Sequence, residues 1–434
     1  MRLSEKDVHQ IIPFSLIRLT AVVSLVIVVS GLFAQSETVT DTTSALVKTE
    51  SIVDSISQDS LDRHTEISPL DIGRDRGLFI LSSDKLMQMR ILGSVRSLFT
   101  LSDRLVPSQR TLNPLEIPTD DSDRITNFYA GLDQTRLGFE VTRRTRQVGD
   151  IFLRIEADFA GSSGGFRIRH AYGQLRNLLV GQTWSLFSNV QYLPATVDVN
   201  GPSGSISIRT PQIRYFRTLT ERISWYAGIE YSTPTIATPD SINAELVQVI
   251  PDVTSRLDYV KDNLSLQFVF LLATLSGRDK SIDDAPVKYQ VGYGFSLSMR
   301  YQPGSIGTFY ASGTTGRGIS HFIDLFSGKG MIAAFDQGMQ QFERLPVHTL
   351  YAGYKKSLPA NFTLNAAAGV AAISNLDFQL PDEYNYSYNA LVNVFWQPVD
   401  GARIGIEFNH GRRVNINKDS GKANRISFLL FYDF

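Results

Sequence analysis

Charged residues fall at alternate positions within short segments of this chain, and at those positions arginine is the commonest. Arg136 shares its parity with Glu140, Arg154 with Glu156 and Asp158, and Arg167 with Arg169, while the positions between them are mostly apolar or Gly. Arg96, Arg214, Arg256, Arg300, Arg403 and Arg425 continue the pattern, with Glu230, Asp258 and Glu407 among them. A guanidinium keeps its charge at any physiological pH and grips a carboxylate or phosphate with two parallel hydrogen bonds. A file of such groups along one wall favours anions. Glu140, Glu156 and Asp158 support a second reading, in which cross-strand pairs brace the wall and leave little selectivity. Basic positions outnumber acidic ones, and a water-filled lumen tolerates unpaired charge, so the anion reading leads.

Other chemistries lack their residues. The sequence has no cysteine, which excludes thiolate catalysis, disulfides and cysteine metal sites. Its 6 histidines are scattered, with none paired at metal-ligand spacing. His170 falls on the face of its segment opposite the arginines and reads as a structural or subunit-interface residue. Gly201-Pro202-Ser203-Gly204 is not the Gly-x-Ser-x-Gly of a nucleophile elbow, and His321 and His348 support a rim catalytic site only weakly. No enzyme, metal or cofactor is expected. With 42 Lys+Arg against 43 Asp+Glu there is no polycation for nucleic acid.

The elements that must position the arginines have a period of two. Tyr289, Val291, Tyr293, Phe295, Leu297, Met299 and Tyr301 alternate with Gln290, Gly292, Gly294, Ser296, Ser298 and Arg300. One face suits lipid, with aromatics at both ends, and the other is small or polar. Strands of ~10 residues with this alternation fit a bilayer crossing. Sixteen such segments are expected, near 90–101, 133–143, 150–160, 165–176, 178–188, 208–217, 221–232, 254–261, 263–274, 287–301, 306–316, 347–356, 361–373, 385–397, 402–412 and 424–434. Long connections alternate with tight ones, as external loops and periplasmic turns do in a bacterial barrel. The expectation is an all-β chain: a 16-stranded antiparallel transmembrane β-barrel with a short N-terminal periplasmic extension. The third external loop, 189–207, carries Pro194, Asp198, Gly201-Pro202 and Gly204. Either it folds inward, turning Asp198 toward the arginines, or it stays on the surface.

The ends of the chain fix its destination. Arg2 and Lys6 precede an apolar run from Leu19 to Ala34, which reads as a signal peptide, 1–34, cleaved after Ala34. Residues 35–85, rich in Ser, Thr and Asp, form a periplasmic segment that is flexible or short and helical. The barrel occupies 86–434. At the far end Ile426, Phe428, Leu430, Tyr432 and Phe434 alternate, so that Phe434 closes the last strand against the first.

Between 136 and 217 the motifs follow a recognisable order. Arg136-Leu137-Gly138-Phe139 leads to Ile155-Glu156-Ala157-Asp158-Phe159 and Phe166-Arg167-Ile168-Arg169-His170-Ala171-Tyr172-Gly173. Leu179-Val180-Gly181-Gln182-Thr183-Trp184-Ser185, Gly201-Pro202 and Arg209-Thr210-Pro211-Gln212-Ile213-Arg214-Tyr215 complete the series. The chain resembles the DcaP-like family of bacterial outer-membrane porins. That resemblance implies a homotrimeric channel in outer-membrane lipid, preferring small anionic solutes, with arginines at the constriction. Arg136, Arg167, Arg169, Arg209 and Arg214 sit in the matching motifs; Arg96 and Arg154 rest on parity alone. In similar porins a C-terminal aromatic such as Phe434 is recognised by the outer-membrane barrel assembly machinery. A non-conducting structural or adhesive barrel acting through its external loops is the alternative.

Overall fold

Successive side chains of a strand point to opposite faces, so a fixed parity of apolar residues produces one apolar wall. The segment Lys288–Tyr301 exposes Tyr289, Val291, Tyr293, Phe295 and Leu297 and buries Ser296 and Ser298. In this computed structural model, which describes residues 66, 68–73, 75–120, 124–237, 244–279, 284, 286–336 and 341–434, that division repeats around a closed antiparallel barrel of 16 strands.

The strands are β1 (Met87–Ser102), β2 (Asn127–Gly131 continued by Arg136–Arg143), β3 (Ile151–Asp158), β4 (Arg167–Leu175), β5 (Leu178–Trp184) and β6 (Arg209–Thr220). There follow β7 (Ile223–Glu230), β8 (Asp252–Lys261), β9 (Leu264–Asp279), β10 (Lys288–Tyr301) and β11 (Thr308–Arg317). The last five are β12 (Pro346–Leu358), β13 (Phe362–Ile373), β14 (Tyr384–Trp396), β15 (Ala402–Asn415) and β16 (Ser420–Asp433). Each of the sixteen expected segments corresponds to one of them. No helix among the described residues is long and apolar enough to cross a membrane.

Tight turns at one rim hold neighbours in register. Lys261 pairs with Leu264 across Asp262, whose φ of 47° lies in the left-handed region that Asp tolerates in a two-residue hairpin. The seam pairs β16 with β1 from Ser94↔Asp433 to Ser102↔Arg425. Phe434 extends the seam, because its backbone N–H donates to Gly93 O at 2.9 Å and its carbonyl accepts from Gly93 N at 3.0 Å. Any Cβ at position 93 would collide with the Phe434 ring, so Gly93 provides the seat for the terminal aromatic. Below that point a short strand, Leu78–Leu81, takes over the free edge of β1, with Leu78 opposite Ile91 and Leu81 opposite Gln88.

The structure differs from the expected pattern in two places. A register shift opposite Glu156 and Ala157 pairs Glu156 with His170 and Ala157 with Ile168, so that Arg169 is an extra, bulged residue in β4. The inward parity of β4 therefore changes at Arg169, and His170 is buried on the same face as Arg169 rather than opposite it. The second difference is at the N-terminus. The expected signal peptide, 1–34, and residues 35–65 lie outside the described residues. Glu66, Leu70, Asp71 and Ile72, from the segment expected to hang below the barrel, are buried against inward-facing side chains of the wall.

Candidate functional site

β2, β3 and β4 are neighbours in the sheet, and their inward charges interlock. The guanidinium of Arg167 lies flat against the Asp158 carboxylate, with Nε to Oδ1 at 2.9 Å and Nη2 to Oδ2 at 2.7 Å. Arg169 donates to Glu156 at 2.7 Å and to Asp158 at 3.1 Å. Arg154 lies between Glu156, at 2.6 Å, and Glu140, at 3.4 Å. Arg90 closes the file on Glu140 at 3.2 Å. The bracing reading of these acids therefore has a geometric basis. Paired and hydrogen-bonded charges of this kind hold side chains in one arrangement more than they add net stability.

Loop 185–208 folds into the lumen against the opposite wall. The backbone N–H of Ser203 donates to Asn389 Oδ1 at 2.6 Å, and Asn389 Nδ2 donates to Gly201 O at 3.0 Å. The Val197 and Asp198 amides donate to Glu407 at 2.8 and 2.9 Å, and Asn393 donates to Ala195 O at 2.9 Å. A Cβ on Gly369 would strike the Ser203 backbone, so β13 presents a glycine where the loop lies closest. Asp198 is buried, and its carboxylate accepts from the amides of Leu112, at 2.6 Å, and Asn200, at 3.0 Å. Burial pushes the Asp198 carboxyl up. It fastens loop 3 to the first external loop instead of facing the arginines of β2 to β4.

Between the inward loop and the arginine wall lies a cavity of about 270 Å³. Arg136, Arg167, Arg169 and Arg209 line it, joined by Arg110 of the first external loop, while Asp158 and Asp324 supply its negative charge. Among the described residues Arg209 has no carboxylate partner. Its guanidinium stacks on the Trp184 ring at 3.5 Å, an arrangement that holds a cation over an electron-rich face without cancelling its charge. Asp324, on the sixth external loop, accepts from Ser207 N at 3.0 Å, and burial pushes its carboxyl up to about 7. His170 closes this corner, its ring edge toward Trp184 at 5.5 Å and its Nδ1 3.0 Å from Thr183 Oγ1.

The other predicted arginines do not line the cavity. Arg96 is fully buried at the seam, bonded to Ser94 Oγ at 2.8 Å and Leu70 O at 2.7 Å, beside Asp433 at 3.5 Å. Arg154 is used up between its two glutamates. Arg214 donates to Trp184 O at 2.6 Å and reaches Glu66 at 3.2 Å. Arg110 and Asp324 were not legible as site residues, since both lie in external loops, where no alternation marks the inward side. Near the rim, His321 Nε2 lies 3.1 Å from Ser232 Oγ, which donates to Asp252 at 2.5 Å. Here the serine sits between its partners rather than facing a base held by an acid, so the cluster joins two loops and forms no catalytic relay.

Comparison with known proteins fits this geometry. The outer membrane channel DcaP of Acinetobacter baumannii superposes with a TM-score of 0.70 at 20% identity, over 82% of this chain and 99% of that one. An anion-selective porin from Comamonas acidovorans gives 0.53 at 10% identity, over 80% and 100%. OmpT of Vibrio cholerae gives 0.51 at 12%, over 82% and 99%. At these identities the likeness carries the fold alone. No curated protein matches the sequence. The DcaP outer membrane protein family, however, matches residues 99–434, from near the end of β1 to the last residue, and the chain belongs to that family of the bacterial outer membrane.

Proposed function

We propose that the barrel is a porin, a diffusion channel for small solutes that prefers anions. Its constriction lies between the inward third loop and Arg136, Arg167, Arg169 and Arg209. The observation that carries this reading is the charge of the cavity: five arginines, Arg110 included, face two carboxylates, and one of those, Asp324, titrates near neutrality. Arg209 is the group best suited to meet a passing anion, because no acid among the described residues pairs with it. The resemblance of the family motifs supports the same preference and a homotrimer.

Purified protein in a planar bilayer, under a salt gradient, should conduct with a reversal potential on the anion side. Replacing Arg167 and Arg169 by glutamine should move that potential toward cations while the folded barrel persists. A clear cation preference with all arginines intact would refute the reading. A non-conducting barrel acting through its loops is the second reading, supported by the chain segment that crosses the lumen; persistently silent bilayers with surface binding dependent on the external loops would favour it.

A further inference from the structure

Residues 66, 68–73, 75 and 76 do not hang from the rim; they cross the lumen. Glu66 is buried between Arg214 on β6, at 3.2 Å, and Arg256 on β8. Five residues on, the Asp71 carboxylate reaches Arg136 on β2 at 2.8 Å and Arg169 on β4 at 3.5 Å. The backbone between them is used as well. Pro69 O accepts from Arg403 on β15 at 3.3 Å, and Leu70 O accepts from Arg96 on β1 and Arg136 on β2 at 2.7 and 3.3 Å. Leu70 is packed in an apolar cluster with Leu98, Val197, Phe395, Leu429 and Phe431, so the segment touches the wall and the inward loop together. Arg76 then meets Asp400 at 3.3 Å in the tight turn between β14 and β15, which places the entry at the short-turn rim.

Two of the arginines held by Asp71, Arg136 and Arg169, also line the cavity that the channel reading needs. Ser68, Pro69 and Leu70 form another part of its lining. We propose that Glu66 and residues 68–71 form a removable strap: an acidic part of the chain itself that occupies anion sites of the lumen, narrows the channel from the periplasmic side, and opens it by leaving. The occupant is defined by charge. Two carboxylates sit on two pairs of guanidinium groups, and two carbonyls accept from arginines as well. The apolar contribution is small, from Leu70 and the adjoining Ile72, which suits a segment that can detach without disturbing the barrel. Among the described residues between Glu66 and Gly77 none belongs to a strand, so release of the strap leaves the wall ladders paired.

The proposal rests on the channel reading for its conductance consequence but not for the strap itself, so the test reads both. In the full mature chain, E66Q/D71N should raise single-channel conductance by about two-fold or more, since a lumen of this width is narrowed greatly by a crossing segment. The chain has no native cysteine, so Leu70→Cys can report independently. Leu70 is 7% exposed. A membrane-impermeant thiol reagent should label Cys-substituted position 70 slowly alone and at least about ten-fold faster beside E66Q/D71N, as local opening controls access to buried sites. Unchanged conductance together with unchanged labelling overturns the strap. If every variant is silent, the channel reading fails, and labelling alone decides: faster labelling in the double variant supports the strap, and equal labelling overturns it. Faster labelling with unchanged conductance overturns its gating role.

Discussion

At the residue scale the difference between Arg167 and Arg209 decides what each can do. Arg167 lies bidentate on Asp158, whereas Arg209 rests on Trp184 with its charge uncompensated. A lone charge about 6 Å from a permeating ion in water is worth roughly 0.7 kcal/mol, or about a threefold change in relative permeability. Arg209→Ala should therefore lower the anion-to-cation permeability ratio by about that factor, read as a shift in reversal potential; a shift no larger than that of Arg154→Gln would remove Arg209 from the site. Asp324 adds a pH dependence of known sign. Its carboxyl is pushed up to about 7 by burial, so it is neutral below that pH and becomes an anion above it. Anion preference should fall as pH rises through about 7, and D324N should abolish the step. The same shift has a stability consequence. A carboxyl raised above its ordinary value weakens the docking of its loop as pH rises between the two values.

At the scale of elements, the inward loop depends on glycine and asparagine in the facing wall. The two hydrogen bonds between Asn389 and the loop backbone are each worth about 1 kcal/mol. Gly369 leaves room for that approach. Gly369→Val should push the loop off β13, raise conductance and leave the barrel folded, as judged by its resistance to unfolding in detergent on unheated gels. Normal conductance in a folded G369V barrel would show that the loop does not set the constriction. Phe434 acts at the seam, where Gly93 exchanges two backbone hydrogen bonds with it and leaves room for its ring. We infer that its loss acts on assembly first: Phe434→Ala should lower the yield of membrane-inserted barrel several-fold while refolded protein keeps its strand content.

Those elements also mark how much could be read in advance. The wall was legible because each strand repeats the same alternation, and lipid on one side enforces it: an Arg or Lys on that face costs about 2–4 kcal/mol at the midplane. Phe434 was legible for the same reason, since Ile426, Phe428, Leu430 and Tyr432 all point outward. His170 was not, because one extra residue in the β3–β4 ladder shifts every later side chain to the other face, and no residue type there announces a bulge. The inward course of loop 3 depends on Asn389 and Glu407, roughly two hundred residues away in sequence, so local pattern could not reveal it.

At the scale of the whole molecule, the strap links the N-terminal segment to the pH of the medium. Glu66 faces Arg214 and Arg256, with Asp258 bonded to Arg256 and the Tyr226 ring beside it. Asp71 faces Arg136 and Arg169, with Arg154 and Glu156 close by. Burial pushes both carboxyls up, but the arginines outweigh it and hold both below their ordinary values. A carboxyl whose seated value is depressed contributes binding that is fully present above its free value, about 4, and is lost as pH falls through the seated value. Conductance should therefore hold steady from neutral pH down to about 5 and rise only below about 4, where the strap loses charge while the arginines keep theirs. In E66Q/D71N the channel should start open and the acid step should vanish. An acid step that survives in the double variant would assign it to Glu140, Glu156 and Asp158 of the wall, whose protonation would free Arg154, Arg167 and Arg169. The strap would then be a passenger in the lumen instead of its gate.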